Sequence, residues 1–152
     1  MYLEELSKYK IEIMKSLCLS EKIQRLILLT PPNNTNGREM MYKNIFPYPY
    51  VPDTVVEANT FICFDMEVRR VQNRTFKDVS ISFWAFTHQS LMRTKDGIRT
   101  DLLANEIDNI INGNRKFGLG TVELQSVTLM NPAKDYHGRT LIYRSVDFNR
   151  TV

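Results

Sequence analysis

The sequence predicts an α+β protein: a four-stranded, mostly antiparallel sheet of order ββαββ, a helix packed on one face, N-terminal helices and a long arm rich in proline and aromatics. Three observations point there. Apolar residues recur every three or four positions up to Leu29, then at every second position from Thr60 to Thr87 and again from Thr121 to Phe148. These are the repeats of helix and strand. A helical stripe separates the two strand pairs, and five of the six prolines fall between residues 31 and 59, where neither repeat holds. The 152 residues therefore read as one domain, with helices over 1–30, an extended arm over 31–59 and the ββαββ core over 60–149. A chain of this length can bury a core without disulfides or metals.

Each element has its own signal. Leu3, Leu6, Tyr9, Ile13, Met14 and Leu17 form the stripe of a first helix. Ser20, followed by Glu21, Lys22 and Ile23, is the N-cap of a second helix running to Leu29, which Pro31 and Pro32 bar from continuing. In the arm, Phe46-Pro47-Tyr48-Pro49-Tyr50 alternates proline with aromatics, so an extended backbone near polyproline II is expected. Such an arm either closes over its own domain or reaches onto a neighbour.

The first hairpin pairs Thr60–Arg69 with Phe76–Thr87 across a turn at 71–75. Phe64, Met66 and Val68 share one face with Val79, Ile81, Phe83 and Ala85. The other face of the second strand starts with Ser80 and Ser82 and ends with Trp84 and Phe86, so its far end must be covered. The expected cover is the helix or the N-terminal segment. Ile98, Leu102, Leu103, Ile107, Ile110 and Ile111 then make a helical stripe that stops at Asn112-Gly113. Thr121–Met130, with a register slip near Ser126, and Thr140–Phe148 supply the second hairpin across an Asn131–Gly138 turn.

Composition is that of an ordinary globular protein, 43% hydrophobic and 24% charged, with a net charge of +3. No apolar run is long enough to span a membrane, and the acidic start, Met1 to Glu5, does not read as a signal peptide. Cys18 and Cys63 sit in apolar contexts and read as free buried thiols of a protein made in a cytosol. Between Arg69 and Arg99 there are seven basic residues and two acidic ones. This cluster is either a solvated hairpin end or a surface for nucleic acid.

Chemistry-bearing patterns are sparse. His88 lies near Ser90, but no Gly-x-Ser-x-Gly elbow surrounds them, and residues so close on a strand end are not expected to converge. His137 falls in a turn. Asp65 and Glu67 read as carboxylates on a solvated strand face, and no metal-ligand spacing is present. The expectation is no enzyme, no catalytic or metal residues and no cofactor.

From Thr60 to Phe148 the chain resembles the tail-terminator and tail-completion (neck) proteins of long-tailed bacteriophages. The resemblance lies in the aromatic strand Ile81–Phe86, a polar loop, the helix Arg99–Asp108 ending Ile110-Ile111-Asn112-Gly113, the Gly118–Leu124 segment and the last strand, Leu141–Phe148. It implies a virion protein of the tail or neck, made in the host bacterial cytoplasm. Six copies would form a homo-oligomeric ring that joins the tail tube to the connector and passes DNA without binding it specifically. A head-closure or adaptor subunit is the alternative, and a small nucleic-acid-binding module a more distant one. The expected protein contacts are the arm aromatics Phe46, Tyr48 and Tyr50 and the basic hairpin residues Arg69, Arg70 and Arg74.

Overall fold

The computed structural model describes residues 5–29, 37–50, 58–71, 76–114 and 120–148. Helix α1 (Leu6–Leu19) and helix α2 (Glu21–Leu28) meet at Ser20, whose Oγ accepts the Ile23 N–H at 3.3 Å, as the capping signal predicts. Strand β1 (Ile45–Phe46) follows a single 3₁₀ turn at Arg38–Met40. Strands β2 (Thr60–Val71) and β3 (Phe76–His88) form the first hairpin, in antiparallel register Phe64 to Phe83. A miniature hairpin, β4 (Arg93–Thr94) with β5 (Gly97–Ile98), leads into helix α3 (Arg99–Ile111). The second hairpin pairs β6 (Glu123–Met130) with β7 (Tyr136–Phe148).

Among the described residues the main sheet has five strands rather than four, in the order β1-β2-β3-β7-β6. The two hairpins join through β3 and β7, which run antiparallel along their whole length. The fifth strand comes from the arm: β1 lies parallel to β2, with Ile45 beside Ile62 and Phe46 beside Cys63. Three hydrogen bonds hold it there. The Ile62 N–H donates to Asn44 O at 2.7 Å, and Asn44 Nδ2 donates to Asn59 Oδ1 and to Thr60 O, both at 3.0 Å.

All three helices cover one face. Ile13, Met14 and Leu17 of α1, Ile23 and Ile27 of α2, and Leu103, Ile107 and Ile111 of α3 pack on Ile62, Phe64, Ile81, Phe83, Leu141 and Tyr143 in one continuous core. The alternation read along β2 and β3 therefore places the intended residues inward. The predicted slip in β6 is a bulge between Leu124 and Ser126.

The second hairpin turn is shorter than expected, because β7 begins at Tyr136 and contains Gly138. A Cβ at Gly138 would lie 2.0 Å from Ala85 O and 2.7 Å from Phe86 Cα, so only glycine lets β7 approach β3 this closely. Glycine here marks close strand contact rather than a turn.

Candidate functional site

The face of the sheet away from the helices carries a second, smaller core. Phe46, Phe61, Cys63, Phe86 and Tyr136 are buried together, with Tyr50, Trp84, Met130 and Ala133 packed around them. The cover over Trp84 and Phe86 is thus neither the helix nor the N-terminal segment but the arm. The chain bends at Pro47 and Tyr48 instead of staying extended. That bend returns Tyr50 onto Phe46, with ring centroids 4.2 Å apart and planes 12° from parallel. Phe61 lies 5.4 Å from Phe86 and 6.2 Å from Tyr136, extending the aromatic layer across three strands.

This arrangement divides the expected contact residues. Phe46 is 5% exposed and Tyr50 partly buried, so both belong to the chain's own packing. Tyr48 is 44% exposed, with its ring 5.7 Å from Phe46, and is the one of the three turned to solvent. Arg69 and Arg70 lie on β2, where Arg70 is registered with Asp78 past a bulge after Val68. Their side chains, and Arg74 altogether, lie outside the described residues.

The basic cluster read along the chain is not one patch. Arg69 and Arg70 sit at one end of the β2–β3 hairpin, while Arg93, Lys95 and Arg99 follow the opposite end of β3. A 13-residue strand separates them by about 40 Å. At the first of these ends, Asp78 accepts two hydrogen bonds from Arg144 of β7, which hold that guanidinium's pKa above its usual value. Arg99 is buried and lowered by that burial; its Nε donates to Leu91 O and its Nη1 to Leu26 O. Leu26 is in the last turn of α2, where exposed carbonyl dipoles favour a cation. Arg99 thereby ties α2 to the start of α3.

The histidines also differ from expectation. His88 and Ser90 do converge, Nδ1 to Oγ at 2.8 Å, because a 3₁₀ turn starts at Gln89 where a strand was expected to end. His88 Nδ1 also accepts the Ser90 N–H at 3.2 Å, and its ring stands edge-on to Tyr136. That is the work of a turn cap on an exposed surface. His137 Nδ1 meets Asn131 Oδ1 at 3.0 Å and steadies the β6–β7 turn. Among the described residues no three His, Cys, Asp or Glu side chains gather as metal ligands. Asp65, rather than facing Glu67 as a pair, is salt-bridged to Lys10 of α1. Cys18 and Cys63 are free and buried, and burial pushes both thiols up to about 11. Among the described residues no helix is long and apolar enough to cross a membrane.

The feature that sequence reading missed is the exposure of the apolar residues on the predicted strand β6. Val127 and Leu129 are 47% and 77% exposed on the helix side of the sheet, and Ile98, at 51%, lines a cleft of about 290 Å³ with Leu129. Strand alternation alone assigns these residues to the core, since it does not show that α3 stops short of the sheet's last strand.

Geometry of this kind defines a small α+β protein. The family model for YomW matches residues 12–145, and the chain belongs to that family; the family is of the Bacillus phage SPbeta-like kind, which suggests a phage-derived protein. No curated protein matches the chain.

Proposed function

We propose that this chain is a non-enzymatic structural protein of a phage virion, a ring-forming tail terminator that joins the tail tube to the head–neck region. The observation that supports it best is the ββαββ unit over residues 60–148, the element order on which the resemblance to tail terminators rests, found in a chain of a phage family. A ring subunit needs a stiff sheet and polar ends that meet neighbours. The long β3–β7 pairing supplies the stiffness. Tyr48 and the Arg69, Arg70 and Arg74 end of the hairpin are the proposed contacts, the aromatic contributing affinity and the charges orientation and salt dependence. A head-closure or adaptor subunit is the nearest other reading, favoured by the length of the 31–59 segment.

Gold labelling of a tagged copy on intact virions tests the reading. Label at the junction of head and tail is expected. Label along the tube or at the distal tip, or none on virions, would overturn it.

A further inference from the structure

The sheet has two edges, and they are treated differently. Along β2, beyond the two residues covered by β1, the Met66 N–H donates to Asp65 Oδ1 at 2.8 Å, and Lys10 pairs with the same carboxylate. A bulge after Val68 and the charge of the exposed Glu67 follow. Blocked donors, bulges and charges are the ordinary devices that keep a sheet edge from pairing with another chain.

The β6 edge lacks those devices after its first turn of chain. Leu124 is closed off, its N–H donating to Asn112 Oδ1 and its carbonyl accepting from Gln125. From Ser126 to Met130 there is no charge and no proline, and no described strand or side chain bonds the outer edge. Val127 and Leu129 project from it largely exposed. The nearest charges on that face, Arg139 and Asp101, neutralise each other at 2.9 Å.

We propose that β6 pairs with β6 of a second copy, antiparallel across a two-fold axis at Thr128. That register sets Thr128 against its own mate, and Val127 of each copy against Leu129 of the other. The three central pairs are then matched, threonine with threonine on one face and two aliphatic pairs on the other, with Ser126 and Met130 opposed at the ends. Pairing with the β2 edge of a neighbour is opposed by the guards described above, which leaves the self-complementary arrangement. The five-stranded sheet becomes continuous through both copies. Val127, Leu129 and Ile98 of each copy form one apolar strip between the two helical layers. A two-fold contact does not close a purely cyclic ring, so this pairing is additional to the ring contacts proposed above and stands or falls separately.

Thr128→Cys tests the register. Residues facing each other across a two-fold in an antiparallel pair lie within disulfide reach, and the native thiols, buried and raised to about 11, are poor competitors. On mild oxidation Thr128→Cys is expected to give a covalent dimer in high yield, and Ser126→Cys, which would face Met130 of the mate, little. Thr128→Lys should halve the mass of the paired species in sedimentation while circular dichroism stays that of the folded chain, with Asn105→Lys on the outer face of α3 as the neutral control. Equal cross-linking at positions 126 and 128, or an unchanged mass for Thr128→Lys, would overturn the pairing, even if six-copy rings are seen.

Discussion

The two faces of the sheet are closed in different ways. On one, α1, α2 and α3 lay aliphatic stripes over Phe64, Phe83, Leu141 and Tyr143, and the core runs from strand to strand without a break. On the other, a few aromatics from a bent, proline-bounded segment cover one end, and Ser80 and Ser82 remain partly exposed at the other. The first face is built from three helices and holds the domain together. The second rests on the placement of Phe46 and Tyr50, so damage there should be smaller and more local.

Ile107→Asp breaks the first face most severely. Ile107 is fully buried in α3, and the substitution adds an unpaired charge to a loss that, for truncation to alanine alone, is roughly 2–5 kcal/mol. The variant is expected to be unfolded or insoluble. Asn109→Asp, on the exposed side of the same helix, should remain within about 0.5 kcal/mol of the parent in a urea titration. Similar midpoints for the two would contradict the assignment of that face.

Phe46→Ala probes the second face. Removing a buried aromatic that stacks on Tyr50 and contacts Phe61 should cost about 3 kcal/mol. Tyr48→Ala should leave the melting temperature nearly unchanged, because that ring is substantially exposed. Replacing Phe46, Tyr48 and Tyr50 together would therefore confound folding with assembly, and Tyr48 alone is the informative contact variant. Equal losses for Phe46 and Tyr48 would place the arm wrongly.

A smaller difference between the faces concerns pH. Cys18 packs on the helical side and Cys63 on the aromatic side, and burial raises each thiol from an ordinary value near 9 to about 11. The fold favours the neutral thiol, so this stabilisation is complete below about pH 9 and is lost as pH rises from 9 through 11. Tyr143, raised by burial and then by its hydrogen bond to Asp108, adds to the loss above pH 10. The melting temperature should be level up to pH 9 with respect to these groups and fall beyond it. Cys63→Ala should make the alkaline fall shallower; an unchanged slope would remove the thiol from the explanation.

The helical face was legible in the sequence because periodicity carries it. The stripe over Leu103, Ile107 and Ile111, the Ser20 cap and the alternation from Phe64 to Ala85 all describe local patterns that tertiary packing then kept. The aromatic face was half legible: Trp84 and Phe86 required a cover, but proline fixes φ without specifying where a bend follows, so the return of Tyr50 onto Phe46 was not visible. For the same reason the fifth strand was missed, two residues being too short for any repeat. The basic run misled because thirteen residues of strand carry its halves to opposite ends. His88 and Ser90 met because a 3₁₀ turn begins at Gln89, directly after the strand ends at His88. The bare edge of β6 depends on where α3 stops relative to the last strand, which is a property of the assembled sheet rather than of any segment.

The central claim is assembly into a closed ring on the tail, and the mass of the native protein tests it most directly. Native mass spectrometry with negative-stain imaging, at rising concentration and in the presence of tail tubes, should reveal a species close to six times the 17.8 kDa chain, seen end-on as a ring with a central hole. A chain that remains monomeric, or stops at two copies at every concentration and leaves tail tubes bare, would contradict the account.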